Sequence, residues 1–149
     1  MAKHSFLQFV REQWGRPVPL VTEDLTGKVV MVTGANVGLG FEAAKHLASM
    51  NPERLIIACR SEAKGKQAVE GNSFVHPFQF DADDVRIEIK ESTEFDNVEL
   101  FIVDLASYAS VSAFCEKVER EAPRLDILVE NAALVQNEFV PTSDGWEHQ

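Results

Sequence analysis

The stretch KVVMVTGANVGLGFEAAKHLASM, Lys28–Met50, decides the fold. It begins with a short run of β-branched and other apolar residues, passes through a glycine-rich turn, and continues into residues with high helix propensity and an apolar face of helical period. A buried strand therefore leads through a tight turn into a helix. This unit begins an alternation that sets the architecture of the chain.

The same alternation of strands and helices continues after this unit. A strand, a helix, a strand, a helix and a strand follow, at RLIIAC (Arg54–Cys59), SEAKGKQAVE (Ser61–Glu70), VELFIVDL (Val98–Leu105), SVSAFCEKVEREA (Ser110–Ala122) and LDILVENAA (Leu125–Ala133). Their continuously apolar strands are typical of a parallel sheet covered on both faces. With right-handed crossovers, the pattern predicts an α/β fold: a Rossmann-like, doubly wound parallel sheet with strand order 3-2-1-4.

The glycine turn is suited to binding a phosphate. Gly34, Gly38 and Gly40 give G-x-x-x-G-x-G directly after a predicted strand and at the start of a helix. Glycine permits backbone conformations closed to other residues and leaves no Cβ in the path of a pyrophosphate. The helix would present unpaired N–H groups and a positive dipole end to the anion. A tight turn without a ligand is the alternative, and the surrounding alternation favours a dinucleotide site.

The segment GNSFVHPFQFDADDVRI, Gly71–Ile87, does not fit the alternation. It separates two pieces, QAVE and EIKESTEF, that would join into one amphipathic helix. One interpretation is a surface insertion, in which the spacing of Phe74, Phe78 and Phe80 suggests a short hairpin.

The second interpretation of this segment is a retained intron. Its codons can supply a splice donor at Gly71-Asn72, a branch point at Ala82-Asp83 and an acceptor at Ile87-Glu88, and excision would keep the reading frame and restore a glutamate at the joint. Both interpretations give the same organisation: an N-terminal extension at 1–24 and a partial dinucleotide-binding domain at 25–149 that carries an insertion at 71–87.

Composition and charge narrow the range of functions. The chain has 149 residues, 45% of them hydrophobic and 26% charged, as expected for one globular domain. Its net charge of −10 argues against nucleic acid or an anionic membrane as the main partner. The N-terminal segment lacks the apolar core of a signal peptide, and no apolar run approaches the ~20 residues of a membrane span. These features predict a cytoplasmic protein for which a membrane partner is not expected.

The two cysteines are expected to be reduced and structural. Cys59 lies in a predicted buried strand and Cys115 in a predicted helix. Neither cysteine nor any of the four histidines has the spacing of a metal site, so no metal is predicted.

Four motifs together resemble the N-terminal half of a short-chain dehydrogenase/reductase. They are TGANVGLG (Thr33–Gly40), ACRS (Ala58–Ser61), VDLAS (Val103–Ser107) and LDILVENAA (Leu125–Ala133). The retinol-dehydrogenase-like branch is the most similar. The resemblance extends from about residue 25 to residue 149, except over 71–87. It implies an oxidoreductase fold that binds a nicotinamide dinucleotide and descends from an enzyme interconverting alcohols and carbonyls.

The resemblance also implies roles for individual residues. The pyrophosphate and nearby ribose would be held by Gly34, Asn36, Val37, Gly38, Leu39 and Gly40. Asp104 and Leu105 would flank the adenine, and Asn131, Ala132 and Ala133 would brace the central strand beside the cofactor. Ala133 departs from the family pattern, in which glycine is typical, and adds a methyl group where the backbone runs close to the cofactor.

Two basic residues predict which cofactor is preferred. The residue that ends the second strand should meet the adenosine ribose, where a carboxylate favours a 2′-hydroxyl and a guanidinium favours a 2′-phosphate. This chain has Arg60 there, with Lys64 one turn further on. Arginine can bind phosphate in a bidentate geometry. The sequence therefore predicts NADP(H) in preference to NAD(H), although an arginine at a strand end is often only solvated.

No catalytic residues are assigned. The family uses a Tyr-x-x-x-Lys pair and a serine for proton transfer, whereas the only tyrosine here is Tyr108, and the next lysine along the chain is Lys117. Packing at the start of a helix is the better interpretation of Tyr108. The 149 residues therefore match the cofactor-binding part of the family without its catalytic part.

Three functional hypotheses remain open from the sequence. The chain is the NADP(H)-binding part of such an oxidoreductase and is inactive alone, or it is a catalytically silent dinucleotide-binding or interaction protein, or it is a truncated or misprocessed product without a function of its own. Its expected partner is a small-molecule cofactor. A fourth strand at the sheet edge would also leave ladder groups unpaired, which predicts self-association through that edge.

Overall fold

A parallel sheet organises the structure. The computed structural model describes residues 5, 7, 11, 19–60, 82–135 and 137–147, and within them four strands and three helices alternate. In chain order they are β1 (Val29–Thr33), α1 (Gly38–Ala48), β2 (Arg54–Cys59), α2 (Ala82–Thr93), β3 (Val98–Ile102), α3 (Tyr108–Glu121) and β4 (Ile127–Glu130). The strand order is β3-β2-β1-β4. The predicted Rossmann-like class and strand order are therefore confirmed.

β1 is the strand around which the sheet is built, because it pairs in parallel with both β2 and β4. Thr33, its last residue, lies beside Ala58 of β2 and Glu130 of β4. The carboxyl ends of the strands consequently meet at one edge. The chain runs from β1 outward to β3 and then returns to the other side of β1, so the strand order reverses between β1 and β4. Ligands of open α/β sheets bind at such a reversal.

The first face of the sheet is covered by α1 and α2. Alternate residues of the strands point to this side, because successive side chains of a strand lie on opposite faces. They pack against apolar residues of the two helices in one buried cluster. Its fully buried members include Val30, Val32, Leu55, Ile57, Ala44, Val85 and Ile89.

The second face of the sheet is covered by α3. Met31, Ile56 and Phe101 are buried there, and Phe114 of α3 meets the Phe101 ring edge-on, with ring centroids 6.4 Å apart. No residue of α3 is itself buried. Leu128, in edge strand β4, remains 48% exposed.

Two acidic side chains link neighbouring strands at the end of the sheet where the strands begin. The Arg54 guanidinium donates to both carboxylate oxygens of Glu99 on β3, at 2.5 and 2.6 Å. Asp126, just before β4, accepts the Val29 N–H at 2.9 Å. The hydrogen bonds from Arg54 lower the pKa of Glu99, and the bond from Val29 lowers the pKa of Asp126. Both carboxylates therefore link neighbouring strands in their ionised form.

Some predicted boundaries differ from those observed. α1 begins at Gly38, so two glycines of the turn are already helical, and β4 is only four residues long. The predicted helix Ser61–Glu70 lies outside the described residues, as does 71–81 of the odd segment. Residues 82–87 of that segment are helical and belong to α2, and Val85 is fully buried. The insertion and intron interpretations both stay predictions, as do the domain boundaries.

Within the described part of the chain, none of the helices combines the length and apolar character needed to cross a bilayer.

Candidate cofactor site

A cleft of about 670 Å³ opens at the carboxyl ends of the strands. This volume lies in the range of small-molecule sites, roughly 300–1,000 Å³. Its walls come from the turn after β1, from the residues that follow β2, β3 and β4, and from the segment 141–147. All the residues predicted to hold a cofactor line this cleft, apart from Lys64, which lies outside the described residues.

The turn after β1 requires glycine at its first position. Gly34 has φ +67°, a conformation that L side chains rarely adopt, and its N–H donates to the Ala58 carbonyl at 2.8 Å. A Cβ at Gly34 would lie 2.7 Å from the Cα of Ala132. The absence of a side chain therefore lets the turn lie directly against the segment that follows β4.

The amino terminus of α1 faces the cleft without a side-chain cap. The residue before the helix is Val37, which has extended backbone and an apolar side chain that makes no capping hydrogen bond. The first N–H groups of a helix have no partner within it. Gly38, Leu39 and Gly40 line the cleft at this point. The backbone therefore offers donors and a positive dipole end where an anion could bind.

Gly40 allows the helix start and the end of β4 to approach each other. A Cβ there would lie 2.5 Å from the Gly34 carbonyl oxygen and would also collide with Nδ2 of Asn131. Only glycine fits in this position. The space that a pyrophosphate would need is therefore bounded by backbone, and the residues present fit a dinucleotide.

Hydrogen bonds of Thr33 and Asn131 hold the turn against the residues that follow β4. The Thr33 hydroxyl oxygen accepts the N–H groups of Asn131 at 3.1 Å and Ala132 at 3.3 Å. In return, Nδ2 of Asn131 donates to the carbonyls of Thr33 and Gly34, at 3.2 and 3.1 Å. We did not predict Thr33 as a site residue; its hydroxyl at the end of β1, directly before the glycine turn, was the available signal.

The end of β2 contributes two adjacent residues of different character. Arg60 is exposed and lines the cleft. Cys59, the last residue of β2, is only 3% exposed, and burial raises the pKa of its thiol to about 11. It is a neutral thiol in the cleft wall, consistent with the predicted structural role, and both Cys59 and Cys115 are free.

The turn after β3 is held by its own polar groups. The Asp104 N–H donates to the Ser110 hydroxyl at 2.8 Å, and the Asp104 carboxylate accepts the Ala106 N–H at 3.0 Å. These bonds present Leu105, which is 60% exposed, at the cleft. Asp104 thus shapes the turn through which Leu105 reaches the site.

Two aromatic residues also line the cleft. Tyr108, the first residue of α3, meets Trp146 edge-on with ring centroids 6.3 Å apart. The Tyr108 N–H donates to the Asp144 carboxylate at 2.7 Å. Tyr108 does lie at a helix start, as expected, but its side chain is 61% exposed and not packed in the core. Trp146 was not predicted, because nothing local in the sequence connects it to α3.

The described residues contain no group of three or more histidine, cysteine, aspartate or glutamate side chains that could hold a metal ion.

Comparisons with known proteins agree with this arrangement. A family model described as KR domain matches residues 28–147. The chain is 37% identical over 135 residues to the short chain dehydrogenase opdN of Penicillium oxalicum, a match that covers 91% of this chain and 38% of that protein. It is 36% identical over 132 residues to human retinol dehydrogenase 14, with coverage of 83% and 35%. The chain thus spans little more than a third of these relatives.

Solved structures show the same fold. A short chain dehydrogenase from Escherichia coli CFT073, complexed with NADPH, has a TM-score of 0.56 and 26% identity, and the match covers 82% of this chain and 44% of that one. Menthone neomenthol reductase from Mentha piperita has a TM-score of 0.54 and 33% identity, with coverage of 73% and 32%. On this evidence, the chain belongs to the short-chain dehydrogenase/reductase family, whose KR-domain model matches most of its length.

Proposed function

We propose that this chain is the NADP(H)-binding part of a short-chain dehydrogenase/reductase that interconverts alcohols and carbonyls, and that it is inactive alone. The observation that carries the proposal is the glycine turn, closed by the Thr33–Asn131 hydrogen bonds beside an uncapped helix terminus. The opdN and retinol dehydrogenase 14 matches support the class of reaction, and the NADPH complex of a neighbour supports the cofactor.

The proposed binding uses this chain's residues in distinct ways. The backbone of 38–40 would donate to the pyrophosphate, and Asn131 would hold the turn closed against β4. Arg60 would contact the 2′-phosphate of the adenosine ribose at the end of β2. When bound, the dinucleotide supplies or accepts a hydride. The protein's contribution is to fix its position at the reversal of strand order.

The cofactor preference is tested by reversing one charge. We expect Arg60→Asp to weaken NADPH binding by at least tenfold while NADH binding changes little or improves, because a carboxylate favours a free 2′-hydroxyl. Calorimetric titration with both cofactors measures the ratio. Arg120→Asp is the matched control: it makes the same change in net charge on α3, outside the cleft. An unchanged ratio in Arg60→Asp would refute the NADP(H) preference.

The second candidate is a catalytically silent dinucleotide-binding protein. Like the first candidate, it is consistent with the lack, within these 149 residues, of a lysine at the spacing from Tyr108 that the family uses. Lys117 lies over the Phe101 ring at 4.0 Å from its centroid and is engaged on the second face of the sheet. NADPH binding without NADPH oxidation, across a panel of aldehydes and ketones, is expected of both candidates. Turnover by these 149 residues would contradict both.

The third candidate is a truncated or misprocessed product. The exposed strand β4 is relevant to this candidate, because it could cause the chain to associate or aggregate. β4 is one of the two edge strands and presents unpaired ladder groups, and we propose that copies of the chain associate through it. Size-exclusion chromatography separates the outcomes: a discrete oligomer that binds NADPH supports a working product, whereas aggregated material without binding supports a misprocessed one. We also propose a cytoplasmic location, where Cys59 and Cys115 would stay reduced.

A further inference from the structure

The aromatic pair Tyr108–Trp146 has no part in the binding described so far. Both residues line the cofactor cleft, yet their side chains are 61% and 63% exposed. Their rings are nearly perpendicular, at 89°. Two large rings that face an open cleft leave apolar surface in water, and such surface commonly marks a binding site.

The pair is held in place by hydrogen bonds from both sides. Asp144 accepts the Tyr108 N–H at 2.7 Å and so ties the segment 141–147 to the start of α3. Within that segment, the Thr142 N–H donates to the Trp146 carbonyl at 2.6 Å, and the Trp146 N–H donates to the Thr142 hydroxyl at 3.2 Å. The segment is therefore a small closed turn that holds the backbone of Trp146 close to Tyr108.

The strand order indicates which part of a dinucleotide would reach these rings. The pyrophosphate position lies at the end of β1, and Arg60 lies at the end of β2. Continuing in the same direction along the sheet leads to β3, and Tyr108 begins the helix that follows it. The base attached to the ribose beside Arg60 would therefore lie toward Tyr108, whereas the other end of the dinucleotide would lie toward β4.

We infer that Tyr108 and Trp146 form an aromatic wall that contacts the adenine base of the bound cofactor. This inference rests on the proposed function. Base–aromatic contacts stabilise nucleotide binding whatever the hydrogen-bonding pattern of the base, because every base has a π face. The wall would add to affinity for the adenosine half and would not take part in hydride transfer.

Trp146 can report on its own environment. The sequence has two tryptophans, and Trp14 lies outside the described residues. A Trp14→Phe variant therefore carries Trp146 as its only indole. The probes are 2′-phospho-ADP-ribose, which has the adenine and 2′-phosphate but no nicotinamide, and nicotinamide mononucleotide, which has the opposite half. We expect the first to quench Trp146 fluorescence and the second to leave it unchanged.

Affinity provides the second readout. Trp146→Leu should weaken binding of both NADPH and 2′-phospho-ADP-ribose by about tenfold, the effect of losing one base–aromatic contact. Trp146→Phe should restore most of this loss. Phe139→Leu is the matched control: Phe139 is 69% exposed but does not line the cleft. Circular dichroism of each variant verifies that the fold is retained.

The outcomes separate this inference from the proposed function. No calorimetric binding of NADPH to the unmodified chain would overturn both. Binding of NADPH with unchanged Trp146 fluorescence, and with unchanged affinity in Trp146→Leu, would overturn the aromatic wall alone. Quenching by nicotinamide mononucleotide but not by 2′-phospho-ADP-ribose would also overturn it, since the rings would then contact the other base.

Discussion

The two faces of the sheet are packed to different extents. On the first face, two helices cover the strands, and core residues such as Leu55 and Val32 are completely buried. On the second face, one helix without a buried residue lies over Ile56 and Phe101. The glycine turn is attached to the first face through Ala35 and Phe41, which belong to its buried cluster. The better-packed half of the molecule is therefore the half that positions the cofactor turn.

The contrast extends to the two neighbours of β1. β2 is buried along almost its whole length, whereas residues of β4 alternate between half-buried and exposed. β4 nevertheless positions Asn131, the residue directly after it, whose hydrogen bonds close the turn. Cofactor binding should therefore depend on a strand that contributes less to stability than its neighbours. The predictions below test this difference, beginning with the largest effect.

Truncating the core on the two sides of β1 should have unequal effects. Leu55→Ala on β2 removes a side chain that is 0% exposed and should lower the free energy of unfolding by about 2–5 kcal/mol. Leu128→Ala on β4 removes one that is 48% exposed and should cost less than about 1 kcal/mol. Urea unfolding followed by circular dichroism measures both. Equal losses would show that the two sides are equally packed.

Adding a methyl group at Gly40 should strongly weaken cofactor binding. Its Cβ would collide with Asn131 and the Gly34 carbonyl, so the turn could no longer close against β4. We expect Gly40→Ala to weaken NADPH binding at least tenfold in calorimetry. Gly27→Ala is the control: Gly27, unlike Gly40, has positive φ, but a Cβ there would meet nothing within 4 Å, and Gly27 does not line the cleft. That variant should lose about 1 kcal/mol of stability and bind NADPH normally. Equal binding by both variants would contradict the proposed role of the turn.

The smallest expected effect is at the Arg54–Glu99 pair that joins β2 to β3. Arg54 lowers the folded-state pKa of Glu99. The ionised Glu99 carboxylate therefore contributes to folding stability at neutral pH, and this contribution is lost as the pH falls through the lowered pKa. Glu99→Gln should therefore reduce stability by up to about 1 kcal/mol at pH 7, and the difference from the unmodified chain should vanish in acid. Unfolding midpoints measured across this pH range provide the comparison, with the exposed Glu42→Gln as control. A difference that is independent of pH would contradict the ionic contribution.

Local sequence patterns predicted much of the fold. The bounds of β2 were predicted as observed, because an unbroken apolar run ends sharply at Arg60. The strand order was expected from the Rossmann-like class that the alternation of strands and helices predicts. The partial burial of β4 follows from its predicted place at a sheet edge, whereas the sparse cover of the second face by α3 could not be predicted from the sequence.

Sequence patterns predicted the part of the site that is contiguous in the sequence, but not the hydrogen bonds between distant segments. The glycine turn has a sequence signature, so its residues could be named in advance. The Thr33 hydroxyl joins residues that are 98 and 99 positions apart, and the Tyr108–Asp144 bond joins residues that are 36 apart. Such contacts form only after the sheet has brought distant segments together. The sequence therefore reveals the phosphate turn, and the family resemblance names Asn131, but neither identifies the Thr33 hydroxyl as a group that holds the turn closed.

The most direct test is amide hydrogen exchange of the 149-residue chain with and without NADPH, resolved by residue. We expect slow exchange in β1 and β2, faster exchange in β4, and added protection by NADPH at 38–40, where the uncapped helix terminus would donate to the pyrophosphate. That result would place the cofactor on the better-packed half of the molecule. Unchanged exchange at 38–40 under saturating NADPH would contradict it.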